Sequence, residues 1–116
     1  MRKDEDVEIL KSAGVYTAPG SAPNHYVEHL SVADLSVGTY SIPAGGLDDQ
    51  TPHTEDEIYV VTAGRARIVT AGGSAEIGPG SVIYVPAAEE HQFVDITENL
   101  ALFVVFAPPF ESRPLP

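Results

Sequence analysis

From His25 onward, apolar and polar positions alternate. HYVEHLSV and LSVGTYSI place β-branched or aromatic residues at every second position, with the turn-like pair Ala33-Asp34 between them. PAGGLDDQTP, with proline near each end, reads as a loop. EIYVVTAG and RARIVTAGG follow as two strands joined at Ala63-Gly64, and Gly72-Gly73 predicts a second tight hairpin, into SAEIG. Gly78-Pro79-Gly80 is a turn, SVIYVPA a strand, AAEE a loop and HQFVDI another strand. LALFVVFA is continuously apolar, as expected of a strand covered on both faces. No stretch of helical period is both long and free of Gly and Pro, so the class is all-β, an antiparallel sandwich or barrel. Residues 25–108 are expected to form the domain, 1–24 an N-terminal arm and 109–116 an irregular C-terminal tail. Tyr40, Tyr59, Tyr84, Phe93 and Phe103 are assigned to core packing.

Composition narrows the chemistry. A chain of 116 residues, 43% of them apolar, builds one core and not two. No window approaches the roughly 18 continuous apolar residues of a membrane span, and the charged Met1 to Lys11 segment lacks the apolar centre of a signal peptide, which points to the cytoplasm. Without cysteine there is no disulfide, thiolate zinc site, iron–sulfur cluster or thiol nucleophile, so any metal must be held by nitrogen and oxygen. The net charge of −11 argues against nucleic acid, whose affinity comes from Lys and Arg displacing counterions. No basic residue lies between Lys11 and Arg65, or between Arg67 and Arg113. Arg65 and Arg67 alternate on what reads as a solvated outer face.

In an extended chain His53, Glu57, Tyr59 and Val61 share one parity and point to one side. A lone carboxylate on a buried face costs several kcal/mol unless it is paired, protonated or bound to a cation. His91 opens another strand, in parity with Phe93 and Asp95. Two imidazoles and a carboxylate on convergent elements make a set that holds a divalent metal on one side and leaves other positions open. Taken singly, each member has a plainer reading, as a surface histidine or a solvated strand-entry glutamate, and Asp48, Asp49, Glu55 and Asp56 read equally as a soluble loop. His25 and His29 share a strand face away from this set.

Spacing changes the weights. Gly45, five residues, position 51, then His53, three residues, Glu57, six residues and Gly64 resembles the first motif of the cupin superfamily, G(X)5HXH(X)3–4E(X)6G. Gly80, five residues, Pro86 and His91 resembles the second, G(X)5PXG(X)2H(X)3N. Thr51 stands where the motif has its first histidine, Ala88 where it has a glycine and Asp95 where it has an asparagine. The resemblance implies a small antiparallel β-barrel or jelly roll carrying Fe, Mn, Ni or Zn on His53, Glu57 and His91. A threonine hydroxyl is a poor substitute ligand, whereas Gln50 offers an amide oxygen as a candidate fourth.

Three functional readings follow from the resemblance. The first is a metal-dependent enzyme, an oxygenase (a dioxygenase, for example) acting on a small, largely neutral organic molecule. Scarcity of Lys and Arg disfavours a 2-oxoglutarate co-substrate and phosphosugar substrates. The second is a zinc-type lyase or isomerase, and the third a non-catalytic small-molecule binding or sensor module. Asp48, Asp49, Glu55, Asp56, Glu89 and Glu90 are expected to ring the barrel mouth with negative potential. The apolar LSVGTYSI and LALFVVFA, if they formed edges, would need cover, which predicts a homodimer with residues 1–24 crossing the partner's sheet.

Overall fold

Alternation resolves into strands close to the expected bounds. The computed structural model describes residues 7–112; residues 1–6 of the arm and 113–116 of the tail lie outside the described residues. The strands are β1 (His25–Ser31), β2 (Ser36–Ile42), β3 (Asp56–Ala63), β4 (Ala66–Thr70), β5 (Gly73–Ile77), β6 (Val82–Val85), β7 (His91–Val94) and β8 (Leu100–Ala107). A five-stranded sheet runs in the order β1-β2-β8-β3-β6 and a three-stranded sheet in the order β5-β4-β7. Every pairing is antiparallel. Ile42, Tyr59, Val61, Leu100, Leu102 and Val104 of the larger sheet share one apolar cluster with Ile68, Ile77 and Phe93 of the smaller. Such a two-sheet antiparallel sandwich, with neighbours far apart in sequence, is a jelly roll. No helix of the described residues is long and apolar enough to cross a membrane.

One expected hairpin is absent. β3 and β4 do not pair; β3 lies between β8 and β6, and β4 between β5 and β7. At Gly64 the chain leaves one sheet for the other, with φ at 89° and its α-carbon so close to the Asn99 carbonyl that a Cβ would collide with it. Only glycine meets both conditions without strain. The Gly72-Gly73 hairpin, by contrast, joins β4 to β5.

β2 and β8 are interior strands, so their apolar character is explained within the chain. All seven positions of β2 are buried, polar ones included. Two of its hydroxyls are met from the arm: Gly14 N donates to Thr39 Oγ1 at 2.8 Å and Thr17 N to Ser41 Oγ at 3.0 Å, while Thr62 Oγ1 of β3 donates to the Gly14 carbonyl at 2.6 Å. Within the chain, therefore, residues 14–17 of the arm lie against β2 and β3. His29 Nε2 approaches the same Thr39 hydroxyl at 2.6 Å, on the outer face.

The edges of the five-stranded sheet are β1 and β6, those of the three-stranded sheet β5 and β7. On β6 the alternation sends Ile83 and Val85 inward and leaves Val82 and Tyr84 66% and 59% exposed. Tyr84 is thus not a core residue; an apolar run on an edge strand buries one face only. Phe103 is half-buried, and Tyr40, Tyr59 and Phe93 are in the core.

Two departures from the motif fall on left-handed backbone. Ala88 has φ of 67° and Asp95 of 51°. Aspartate tolerates this region, but for alanine it costs roughly 1–2 kcal/mol. Glycine gives back roughly 0.4–1 kcal/mol through its freer unfolded chain. Ala88→Gly should therefore stabilise the fold by about 0.5–1 kcal/mol, read as a higher urea midpoint at unchanged slope; a lower midpoint would show that the Ala88 methyl group contributes more than its backbone costs.

Candidate metal centre

Three elements bring the donor atoms together. On β3, Glu57, Tyr59 and Val61 are buried while Asp56, Ile58 and Val60 are less so, as strand parity requires. On β7, His91 and Phe93 point inward; Asp95 does not, because the strand ends at Val94 and the chain turns outward. His53 precedes β3 and owes its direction to the loop, where its carbonyl accepts from Ala88 N at 2.6 Å. Its ring is met edge-on by Phe106 at 5.1 Å and Phe110 at 5.2 Å.

One ligand atom from each of His53, Glu57 and His91 lies within 4.8 Å of the others. Gln50 Oε1 joins them, 3.2 Å from each of His53 Nε2 and His91 Nε2. The Tyr59 hydroxyl lies 2.9 Å from Gln50 Oε1 and 3.0 Å from His91 Nε2. Thr51, at the position of the missing motif histidine, is exposed on the rim. His25 and His29 are not members of the group.

Lone pairs here outnumber protons. His91 Nδ1 lies 3.0 Å from the Glu89 carbonyl, which can only accept, so that nitrogen carries hydrogen and neutral His91 presents a bare Nε2. Tyr59 can give its one proton to Gln50. No donor reaches buried Glu57 Oε1 with hydrogen-bond geometry, and it lies 3.4 Å from His91 Nε2, an ion pair only when that ring is protonated. Two imidazole nitrogens, a carboxylate oxygen and an amide oxygen, short of protons, are donors of the kind that could hold a divalent transition metal.

The titration shifts express the same imbalance. Burial disfavours the His91 charge, but the Glu57 carboxylate and the Glu89 carbonyl outweigh it and raise the pKa above 6.5. Burial dominates at His53 and lowers its pKa below 6.5, against the pull of Glu57. Burial and Glu57 together push the Tyr59 phenol well above its usual value, so it holds its proton.

The acidic ring is smaller than expected. Asp48 and Glu55 are 1% and 2% exposed, turned inward, whereas Asp49 and Glu90 are exposed. Asp48 accepts from Tyr40 OH at 2.7 Å, Phe93 N at 2.8 Å, Gln50 Nε2 at 2.8 Å and Gln50 N at 3.3 Å. A loop carboxylate with four donors has no need of solvent. Sequence pattern carries no sign of this, since DDQ reads the same whether solvated or folded inward.

A cavity of about 340 Å³ opens beside the group. Tyr26, Tyr40, Tyr59, Val104, Phe106 and Phe110 form its apolar wall, and Asn24, Asp49, Thr51 and Glu111 add polar groups; among the described residues no Lys or Arg lines it. Phe110 comes from the tail, is tied by its backbone N to Ser36 Oγ at 2.9 Å and stacks on Phe106 at 4.7 Å. Nothing in the sequence marked it beyond being an aromatic residue among prolines.

A jelly roll that gathers two histidines and a carboxylate, two of them (His53 and Glu57) lining an aromatic cavity, defines the class. The chain belongs to the cupin family: its residues 38–106 match the cupin domain. An uncharacterized protein of Streptomyces coelicolor is 44% identical over 84 residues, covering 72% of this chain and 80% of that one. Among solved structures, the DMSP lyase DddQ of Ruegeria pomeroyi superposes with a TM-score of 0.72 at 18% identity, over 94% of this chain and 58% of that one. The polyketide cyclase RemF of Streptomyces resistomycificus gives 0.65 at 20% identity, over 96% and 82%. At such identities the likeness is one of fold.

In metal-free protein the two site histidines should titrate on opposite sides of 6.5, His91 above and His53 below. His91 then stabilises the fold fully below about pH 6.5, and the contribution is lost as pH rises through its folded-state pKa; His53 has the opposite sign, favouring the fold above about 6.5 and opposing it below. NMR titration of the imidazole Cε1 protons checks this, and the reverse order would contradict the assigned partners.

Proposed function

We propose that this chain is a metal-dependent enzyme of the oxygenase type, acting on a small, largely neutral organic molecule held in the aromatic cavity. The observation that carries the reading is the convergence of His53, Glu57 and His91 within 4.8 Å beside a cavity lined by rings and acids and, among the described residues, by no Lys or Arg. Bound there, Fe(II), Mn(II) or Ni(II) would supply a centre able to hold substrate and dioxygen together. His53 and His91 would hold the metal, and Glu57 would offset its charge. The cavity, about 340 Å³, suits a small molecule and its rings exclude water. Asp49 and Glu111 on its lining disfavour anions.

A second reading, Lewis-acid lyase or isomerase chemistry with Zn(II), is favoured by Tyr59. Its hydroxyl holds a proton 3.0 Å from His91 Nε2, in reach of a group bound at the same centre. The DMSP lyase and the polyketide cyclase that share the fold are consistent with this alternative.

Metal analysis tests the shared premise. Wild-type protein should carry one equivalent of transition metal, and His53→Ala and His91→Ala should lose it while remaining folded. Equal metal in all three would end the proposal. Oxygen uptake by the Fe(II) form with neutral aromatic compounds supports the first reading. Anaerobic turnover by the Zn(II) form supports the second. Ligand binding without turnover in either form would leave a non-catalytic binding module.

The reading includes a homodimer, now seated differently. The strands that suggested it are interior, and Val82 and Tyr84 of edge strand β6 offer an exposed apolar pair instead. Light scattering at micromolar concentration should give twice the chain mass, and Tyr84→Lys should halve it; a monomeric wild type removes the idea.

A further inference from the structure

We infer that Asp48 is a positioning residue for the metal centre: its carboxylate holds the Gln50 amide nitrogen, so that the amide oxygen is presented as the fourth donor. The inference rests on the metal reading above. A glutamine side chain offers an oxygen and a nitrogen of nearly equal size, and only one orientation serves a cation. Turned the other way, Gln50 would aim two N–H bonds at His53 Nε2, His91 Nε2 and the metal.

Here the two ends of the amide are held separately. Gln50 Nε2 donates to Asp48 Oδ2 at 2.8 Å, and Gln50 Oε1 accepts from Tyr59 OH at 2.9 Å while lying 3.2 Å from both imidazole Nε2 atoms. Asp48 is itself fixed. It is 1% exposed, bridges β2 through Tyr40 OH and β7 through Phe93 N, and accepts from the Gln50 backbone as well. A carboxylate can only accept, so a flipped amide would set Gln50 Oε1 against Asp48 Oδ2. The arrangement is the amide counterpart of a carboxylate that orients a ligating histidine. It also explains how the chain does without a histidine at Thr51: the donor moves one residue back and is aimed by the residue two before it.

Competition with a chromophoric chelator for Zn(II) tests this in four proteins. Gln50→Ala and Asp48→Asn should each weaken Zn(II) binding by about 10- to 100-fold. Because Asp48 acts through Gln50, the double variant should bind within about twofold of Gln50→Ala. A purely structural role for Asp48 would instead give multiplying losses, and these would overturn the inference while leaving the metal centre intact. A wild type that binds no Zn(II) would overturn both together. Should Asp48→Asn fail to fold, the wild type carries the test by itself. The Gln50 side-chain amide protons should exchange slowly with solvent in both metal-free and Zn(II)-loaded protein, and exchange as fast as in a free chain would overturn the contact.

Discussion

A cluster of lone pairs with too few protons, set inside an apolar sandwich, is the constraint around which this molecule is built. Gln50, His53, Glu57 and His91 bring acceptors to one place, and Tyr59 has one proton to share among them. In a low-dielectric interior such an arrangement is unfavourable unless a positive charge enters. A proton on His91 is one answer, and its raised pKa expresses it. On the proposed reading a divalent cation would be the fuller answer, since it would meet all four acceptors at once.

The fold keeps those acceptors apart in sequence and close in space. Glu57 comes from the five-stranded sheet and His91 from the three-stranded one, so the packing of the two sheets sets the distance between them. The crossing at Gly64 is what sends the chain from one sheet to the other after β3. Gln50 and His53 come from the loop between β2 and β3, and loops ordinarily position donors less firmly than strands. Here Asp48 fastens that loop to β2 and β7, and the Phe106 and Phe110 rings bracket the edge of His53. Each flexible donor therefore has its own clamp, and the clamps come from elements that the core already holds rigid.

What was legible in the sequence was the part governed by strand parity. Glu57 and Tyr59 face inward because they sit two apart on β3, and His91 and Phe93 because they do so on β7. The motif glycines Gly45, Gly64 and Gly80 all have positive φ, so their spacing marked real turns. Parity fails where the strand stops: Asp95 shares the register of His91 but lies past the end of β7 and is exposed. It fails also at Ala63-Gly64, where a hairpin and a change of sheet look alike in sequence. Asp48 and Phe110 were illegible for another reason. Their placement depends on partners distant in sequence, such as Phe93 N for Asp48 and Ser36 for the backbone of Phe110. An acidic loop and a proline-rich tail both read as solvated until those partners are known.

The loss of the first motif histidine need not mean the loss of the centre. With Gln50 as fourth donor the set changes from three nitrogens and one oxygen to two of each, and an amide oxygen is a harder, weaker donor than an imidazole. Such a set shifts preference toward ions at ease with oxygen ligands, and it binds each of them less tightly. The change also alters what the centre asks of its surroundings. An imidazole is aimed by its ring and one hydrogen bond, whereas an amide must be told which of its two ends to present. That requirement accounts for a carboxylate at position 48 being turned away from water. A loop that needed only solubility would leave Asp48 outside with Asp49, which is exposed.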